Sequence, residues 1–197
     1  MFNKIIRVLN KELSQLYFAI IQSYPDSYLG RKLRKNYWKK KLRNCGNNPE
    51  FRKGSGIGFP ELIDFGNDSI IGHDSLVTAG HSKGIYIGNN VSISRSTFIH
   101  ASNHNVDDLD KPIMEQGTSC ASINYNDKVY SVIIEDGVWI GSKSVILSGT
   151  HLKKGCVVAA GSVISGPFQE YSIIGGNPGR VIKQRKWNEN LLDKNLR

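Results

Sequence analysis

Histidine is the residue type in this chain best suited to proton transfer at neutral pH, because an unperturbed imidazole titrates near ~6.5. The chain contains five histidines. His104 stands out among them because it ends a complete 18-residue segment of a repeat, immediately before a long polar stretch. A side chain there would lie at an edge of the repeat beside a movable segment, which suits a general base. The simpler interpretation is a surface histidine in a turn.

Metal binding is a second chemistry that the histidines suggest. His100 and His104 are four residues apart and His81 precedes them, so three imidazoles could converge on one ion. However, no pattern of acidic residues supplies a second shell, and alternation along a strand would separate His100 from His104. His81 also falls at a small inward position of the repeat, which indicates local packing. We therefore expect no metal.

The cysteines are weaker candidates for catalysis. Cys156 falls at an inward position of the repeat, which predicts an inert core residue. Cys120 lies in the polar stretch without an identifiable base partner. Together with Cys45 they form an odd number without disulfide-framework spacing, which indicates a reducing compartment. With neither a membrane-spanning segment nor a signal-peptide cleavage pattern in the sequence, we expect a cytoplasmic protein.

The element that must position His104 is a six-residue repeat. Four residues after most of its aliphatic positions comes a small or β-branched residue. A strict period of six does not keep side chains on one face of an α-helix, but it fits short strands joined by tight turns. Such units cannot bury their apolar side alone, so the pattern predicts an all-β solenoid, a parallel β-helix of hexapeptide repeats. The aliphatic positions of the longest series are Ile134, Ile140, Ile146, Leu152, Val158 and Ile164.

Two shorter series of the same kind run from Phe65 to Val77 and from Ile87 to Ile99. Residues 46–64 are rich in glycine and proline and predict an irregular first coil. A polar insertion, residues 105–133, interrupts the repeat, and a loop of this length inside a tight repeat is usually functional. If three units close one turn, the regular coils occupy residues 65–82, 87–104, 134–151 and 152–169.

Positive charge is concentrated before the repeat. Residues 1–45 hold 11 Lys or Arg and 2 Asp or Glu, a balance of +9, whereas residues 46–197 hold 15 of each. Residues 4–22 carry aliphatic side chains at helical spacing, and residues 31–43 carry eight basic and no acidic residues between apolar ones. Both segments predict amphipathic helices. The basic one is either a solvated face packed on the end of the solenoid or a contact for anionic lipid. No nucleic-acid motif accompanies it, so we expect no nucleic-acid partner.

The chain therefore divides into three parts. Residues 1–45 form a basic amphipathic helical segment. Residues 46–179 form the hexapeptide-repeat β-helix with the loop insertion 105–133. Residues 180–197, which follow a Gly-Gly-Asn-Pro-Gly break, are predicted to form a short C-terminal helix.

Several motifs resemble a known family through their joint order and spacing. That family is the hexapeptide-repeat O-acetyltransferases, which include galactoside, maltose and nodulation-factor acetyltransferases and enzymes that modify bacterial surface polysaccharides. The resemblance covers roughly residues 50–187. The motifs are Ile87-Gly88-Asn89-Asn90-Val91, His104, Val138-Trp139-Ile140-Gly141-Ser142, Ala160-Gly161-Ser162-Val163, Gly176-Asn177-Pro178 and Arg180-Val181-Ile182.

The resemblance implies a left-handed parallel β-helix, a homotrimer, and acetyl-CoA bound between neighbouring subunits. It implies that His104 is the catalytic base. One departure concerns a phosphate contact: the family has Thr-Lys where this chain has Ser165-Gly166, which leaves the charge to Arg180, Lys183 or Arg185. The residues implied to line the acetyl-CoA site are Trp139, Ser142, Ala160, Ser165, Arg180 and Lys183.

The resulting expectation is an acetyl-CoA-dependent O-acetyltransferase that modifies a sugar hydroxyl of a surface polysaccharide or its precursor. Residues 31–43 would hold it at the inner membrane face. Three other functions stay open at this point. The same fold supports N-acetylation of an amino sugar or nucleotide sugar. A γ-class carbonic anhydrase would use the histidines to bind zinc, and a non-catalytic solenoid would leave His104 without a role.

Overall fold

Two helices precede the repeat in the computed structural model, which describes residues 2–186. Helix α1 spans Phe2–Ser23 and helix α2 spans Tyr28–Lys39. Both were predicted, but α2 begins three residues earlier than its basic run, because Ser27 accepts a hydrogen bond from the backbone of Gly30 and caps it. Within the described residues, neither helix is both long enough and apolar enough to cross a membrane.

The strands of the solenoid are short, as the six-residue period predicts. The first nine are β1 (Asn44–Cys45), β2 (Glu50–Phe51), β3 (Gly56–Gly58), β4 (Ile63–Phe65), β5 (Ile70–Ile71), β6 (Leu76–Thr78), β7 (Ile85–Ile87), β8 (Ser92–Ile93) and β9 (Phe98–His100). The insertion contains β10 (Asn103–His104), β11 (Thr118–Ser119), β12 (Ile123–Tyr125) and β13 (Lys128–Tyr130). The remaining strands are β14 (Val132–Ile134), β15 (Trp139–Ile140), β16 (Val145–Leu147), β17 (His151–Leu152), β18 (Val157–Val158), β19 (Val163–Ile164), β20 (Pro167–Phe168), β21 (Ser172–Gly176) and β22 (Gly179–Gln184).

The strands outside the insertion stack into three sheets, one along each side of a left-handed β-helix, and all of them except β22 run parallel. Sheet A has the order β1-β4-β7-β14-β17-β20, and sheet B has the order β2-β5-β8-β15-β18-β21-β22. Sheet C has the order β3-β6-β9-β16-β19. Strands β1 to β3 form the first coil, as the glycine-rich stretch predicted. The coils on either side of the insertion stay in register, since Ile87 lies beside Ile134 and Ile99 beside Ile146.

The six-residue period arises from one aliphatic side chain and one tight turn per unit. The predicted inward positions are buried, from Phe65 at 3% exposure to Ile164 at 0%. Three residues after an inward position, the backbone repeatedly enters the left-handed region, for example at Asp68, Asn90 and Gly137 with φ of 54°, 54° and 68°. Gly, Asn and Asp tolerate that conformation best, which explains their recurrence in the turns.

Where the small residue of a unit is serine or threonine, its hydroxyl can complete the turn with a hydrogen bond to the next coil. The Ser69 hydroxyl donates to the carbonyl of Gly88 at 2.8 Å and accepts from the backbone of Val91 at 2.9 Å. The Thr150 hydroxyl donates to the carbonyl of Ile164 at 3.1 Å. Cys156, at the same position of its unit, is fully buried, and burial raises the pKa of its thiol, as expected for an inert core residue.

The N-terminal helices close one end of the solenoid. Trp38 and Leu42 join the hydrophobic core that runs through the coils. Arg34 is fully buried; it donates to the carbonyls of Phe51 at 2.8 Å and Tyr24 at 3.0 Å, and it pairs with Asp26 at 2.6 Å. Each nitrogen of the Arg34 guanidinium thus donates a hydrogen bond within the structure. These bonds fix α2 against the coil that contains β2.

The far end of the solenoid differs from the prediction. Residues 179–184 form β22, which returns antiparallel to β21, so a helix beginning at residue 180 is wrong. Strand β21 would otherwise be an unpaired edge, and the β-branched residues Val181 and Ile182 suit a strand that covers it. The rest of the predicted helix, residues 187–197, lies outside the described residues.

Candidate active site

His104 lies at the base of the insertion, where the chain leaves the corner between sheets C and A. It is exposed and sits in β10, opposite Thr118 of β11. The next residue, Asn105, holds the two limbs together by donating from its backbone to Gly117 at 3.2 Å and from its side chain to Gln116 at 2.9 Å. Within the described part of the chain, the His104 ring makes no hydrogen bond, so both nitrogens face solvent or a ligand.

The insertion is tied back to the same corner. The backbone of Ala121 donates to the Ser148 hydroxyl at 2.8 Å, and the Ser131 hydroxyl donates to the carbonyl of Ala121 at 2.7 Å. Ser165, predicted to contact acetyl-CoA, is exposed there and donates to the carbonyl of Ser148 at 3.3 Å. The structure therefore places Ser165 and the base of the His104 insertion at one edge.

The other predicted acetyl-CoA residues lie on a different side. Trp139 projects from the outer face of sheet B, is 53% exposed, and donates from its indole nitrogen to the Ser94 hydroxyl at 3.0 Å. Ile173 and Lys183 are partners across β21 and β22, and β18 joins Trp139 to this pair through Val157. An indole and an ammonium group thus share one row of the sheet.

Three more of these residues lie at the end of sheet B, two of them in the turns that follow it. Ser142 accepts through its carbonyl from the backbone of Gly161 at 2.9 Å, which sets it beside the exposed Ala160 in the next coil. Arg180 is exposed on β22 opposite Gly175, at the end of the same side. Of the seven predicted site residues, His104 and Ser165 therefore lie at one edge of sheet C, and the other five lie on the sheet B side of it.

The remaining histidines do not join His104. The prediction that His81 packs inward is wrong: its ring is exposed and lies edge-on to Phe59 at 5.4 Å, because the coil ends at Gly80 and residues 81–84 bulge outward. His100 stacks on Phe98 at 5.4 Å, with its Nε2 3.3 Å from the Ser102 hydroxyl. Across residues 2–186, no group of three or more His, Cys, Asp or Glu side chains could hold a metal ion.

The outer face of sheet A carries a polar cluster that the sequence did not reveal. Asp64 accepts two hydrogen bonds from Arg43, at 2.9 and 2.7 Å, and others from Asn44 and the Tyr130 hydroxyl. Burial opposes ionisation of Asp64, but these hydrogen bonds outweigh it and lower its pKa to about 2. Burial and the bond to Asp64 raise the pKa of Tyr130. The partners come from positions 21 and 66 residues away, so no local pattern could signal them.

A second pair on the same face was also missed. His151 Nε2 lies 2.7 Å from Glu135 Oε1, and Tyr125 packs edge-on to the histidine ring at 5.8 Å. Burial, followed by the charge of Glu135, raises the pKa of Tyr125 to about 12. The hairpin β12–β13 brings Tyr125 and Tyr130 down onto sheet A, so both networks attach the insertion to the solenoid.

Comparison with known proteins agrees with this architecture. A family model described as the hexapeptide repeat of succinyl-transferase matches residues 131–165. A Mycobacterium tuberculosis protein named as a probable acetyltransferase is 30% identical over 124 residues, which are 63% of this chain and 38% of that protein. The chain thus spans well under half the length of that relative.

Solved structures match more of the chain. A Vibrio cholerae hexapeptide-repeat acetyltransferase bound to acetyl-CoA has a TM-score of 0.69 and 23% identity, covering 92% of this chain and 89% of that one. A maltose O-acetyltransferase of Clostridium difficile gives 0.67 and 19%, covering 91% and 88%. A mutant Bacillus cereus N-acyltransferase, bound to coenzyme A and dTDP-4-amino-4,6-dideoxyglucose, gives 0.60 and 21%, covering 83% and 95%.

These likenesses agree with the repeat seen in the coordinates and with the motifs in the sequence. The resemblance to the hexapeptide-repeat acetyltransferases is confirmed, and the chain is a hexapeptide-repeat protein with their left-handed β-helix fold.

Proposed function

We propose that this protein is an acetyl-CoA-dependent O-acetyltransferase that modifies a sugar hydroxyl, with His104 as the general base. The observation that carries the proposal is the exposed His104 ring, which has no hydrogen bond to any of residues 2–186 and lies at the base of an insertion in a hexapeptide solenoid. The maltose O-acetyltransferase with this fold supports the choice of hydroxyl and sugar. The acceptor that we propose is a bacterial surface polysaccharide or its precursor.

His104 has the properties that direct transfer requires. Its neutral imidazole accepts the proton of the acceptor hydroxyl while that oxygen attacks the thioester carbonyl. The same nitrogen then returns the proton to the thiolate that leaves, so the histidine ends the cycle unchanged. No acyl-enzyme is needed, because Cys156 is buried and Cys120 has no base beside it among the described residues.

The residues on the sheet B side suit a coenzyme that carries phosphates and an apolar arm. Arg180 and Lys183 are exposed cations for phosphate groups, and they take the place of the lysine absent at Ser165-Gly166. Trp139 offers an exposed aromatic surface, and Ala160 leaves room for an approaching ligand. In this proposal Ser142 supplies a hydroxyl to the same ligand, and Ser165 supplies one from the edge of the neighbouring protomer that carries His104.

The separation of the two groups supports a homotrimer with shared sites. His104 and Ser165 follow sheet C along the chain, whereas Ser142 and Ala160 precede it. About six residues separate the two edges, or up to ~20 Å of chain, so one protomer does not close a cleft around a single ligand. In the trimer, one protomer presents His104 to the coenzyme on its neighbour. Sedimentation should then give three times the 21.9 kDa chain mass; an active monomer would contradict this arrangement.

N-acetylation of an amino sugar is the second candidate function, and it is favoured by the likeness to the Bacillus cereus N-acyltransferase. The two reactions are distinguished by acetyl transfer from labelled acetyl-CoA to a panel of nucleotide sugars, amino sugars and surface glycans. O-transfer gives a product labile to mild base, and N-transfer gives an alkali-stable amide. If acetyl-CoA does not bind at all, the chain is better interpreted as a non-catalytic solenoid.

We also propose that the protein works at the cytoplasmic membrane face, where a lipid-linked acceptor would lie. Helix α1 supports this, because one stripe of it, Ile6, Leu9, Leu13, Leu16 and Ile20, is 41 to 63% exposed. Basic residues 31–43 follow it, and each cation near anionic lipid contributes roughly 1 kcal/mol, screened by salt. Changing Lys39, Lys40 and Lys41 to Gln should weaken co-sedimentation with anionic vesicles at low salt. Undiminished binding would instead favour a solvated cap.

A further inference from the structure

A groove of about 570 Å³ lies between α2 and the first coil. Three cations line one wall, Arg31, Lys32 and Lys35, and Tyr28 stands beside them. Asn48 and Glu50 form part of the opposite wall. The groove is at the N-terminal end of the solenoid, whereas the acetyl-CoA residues extend to β22 at the other end, so the proposed acetyl transfer does not use it.

The three cations share this wall because of their positions on the helix. Arg31, Lys32 and Lys35 lie within about one helical turn of one another along the border of the buried face of α2, which Arg34 and Trp38 occupy. Within residues 2–186, Arg31, Lys32 and Lys35 make no ion pair, although Arg34, Arg43 and Arg52 are each paired with an aspartate.

The wall is also rigid. Arg34 bonds α2 to Phe51, the residue that follows Glu50 in β2, so the two sides of the groove are held together by one buried guanidinium. Asp26 reinforces the contact because it pairs with Arg34 at 2.6 Å and with Arg52 at 3.1 Å. A ligand would therefore meet cations carried on a backbone that is already fixed, which lowers part of the ordering cost of binding.

Charge in the groove favours an anion with more than one negative charge. Its one acidic side chain, Glu50, lies 2.7 Å from Arg52 and is neutralised by it. Three cations then face one space, the arrangement that suits a phosphate ester better than a single carboxylate. Tyr28 is 78% exposed at the rim, where it can cover an apolar or ring-shaped part of the ligand.

We propose that this groove binds a phosphate ester through Arg31, Lys32 and Lys35. The phosphate belongs either to a lipid head group or to a water-soluble ester, and both present the same anionic oxygens to the three cations. The site is independent of the proposed acetyl transfer, because none of its residues is placed in the catalytic or coenzyme-binding groups.

The test compares two triple variants with the same loss of charge. One variant, R31Q/K32Q/K35Q, removes the groove cations; the other, K39Q/K40Q/K41Q, removes three cations of the same segment that do not line the groove. Inorganic pyrophosphate is titrated into each full-length protein by calorimetry at low salt. The groove variant should bind at least about tenfold more weakly than wild type, and the control should stay within about twofold.

An equal loss of pyrophosphate affinity in both variants would overturn the proposal, since it would indicate non-specific electrostatic attraction. Undetectable binding of pyrophosphate by the wild-type protein at millimolar concentration would overturn it as well. Thermal melting checks that the groove variant is folded, and K35Q alone provides a milder change that should show a smaller loss of the same kind. Vesicles of phosphatidylcholine with phosphatidic acid, whose head group is a phosphate monoester, identify the source. A lipid head group is the ligand if the groove variant also loses vesicle binding more than the control, and a soluble ester is the ligand if only pyrophosphate binding falls.

Discussion

The outer faces of sheets A and B are built from the same repeat, yet the insertion covers one and leaves the other bare. On sheet A, Tyr125 and Tyr130 of the hairpin pack against Tyr86 at 4.9 and 5.6 Å, and Asp64 is 6% exposed. On sheet B, Trp139 is 53% exposed. A polar group on the covered face has its hydrogen bonds satisfied within the protein, whereas a side chain on the bare face is free to meet a ligand.

His104 combines features of both faces: its backbone is held by the insertion, and its side chain is exposed. The insertion leaves the solenoid there before it folds over sheet A, so its β-ladder is ordered while the His104 ring stays exposed. If this comparison is right, changes on the covered face should affect stability, changes on the bare face should affect coenzyme affinity, and His104 should affect turnover alone.

The largest effect is expected from H104A. Loss of the general base should lower kcat by about 10²–10⁴-fold with little change in acetyl-CoA affinity, because the ring acts on the acceptor proton. H81N, at another exposed histidine, is the matched control and should be mild. Near-native turnover of H104A in an acetyl-transfer assay would contradict the assignment of His104 as the general base. An equal loss of activity in H104A and H81N, with activity proportional to bound zinc, would favour a metal site.

The covered face is tested by D64N. Removing the charge leaves the partly exposed Arg43 and the buried Tyr130 hydroxyl without an ionised partner, and we expect about 2 kcal/mol of destabilisation in urea unfolding. Asp74 offers a surface control because it is 64% exposed and 4.0 Å from Arg95, so D74N should cost less than about 1 kcal/mol. Similar losses of unfolding free energy in D64N and D74N would mean that the hydrogen bonds between the insertion and sheet A contribute little to stability.

The same carboxylate predicts an acid sensitivity. The pKa of Asp64 is about 2 in the folded protein against 3.8 for an unperturbed aspartate. Because the folded pKa is the lower one, its stabilisation is complete above about pH 4 and is lost as the pH falls toward 2. The difference in unfolding free energy between wild type and D64N should therefore narrow below pH 4. A difference that stays constant down to pH 2 would contradict the assigned role.

The smallest effect is expected on the bare face. W139A removes a ring that is 53% exposed and donates a hydrogen bond to Ser94, so stability should change by less than about 1 kcal/mol. Affinity for acetyl-CoA should fall by about tenfold, as expected for loss of one aromatic contact of about 1.4 kcal/mol, with kcat nearly unchanged. A large loss of stability without a change in affinity would place Trp139 among the structural residues.

The sequence was a good guide wherever the cause is local. Each unit of six residues carries its own inward aliphatic, such as Ile140 or Ile146, and its own left-handed turn residue, such as Lys143 or Gly149. Because the same inward aliphatic and turn positions recur in many units, the repeat predicted the coils and the position of the insertion. His104 could be identified in the same way, because its position is next to the point where the repeat is interrupted.

The sequence by itself thus determined the solenoid, the break in the repeat beside which His104 lies, and the helices of the basic N-terminal segment. Tertiary structure alone decided which faces are covered, that Asp64 meets Arg43 and Tyr130, and that residues 179–184 cover an edge as a strand. It also decided that Arg34 is buried while Arg31, Lys32 and Lys35 line a groove, although all four lie in one basic run. Period and turn chemistry depend on neighbours a few residues away, whereas these contacts join residues that meet only when distant parts of the chain pack together.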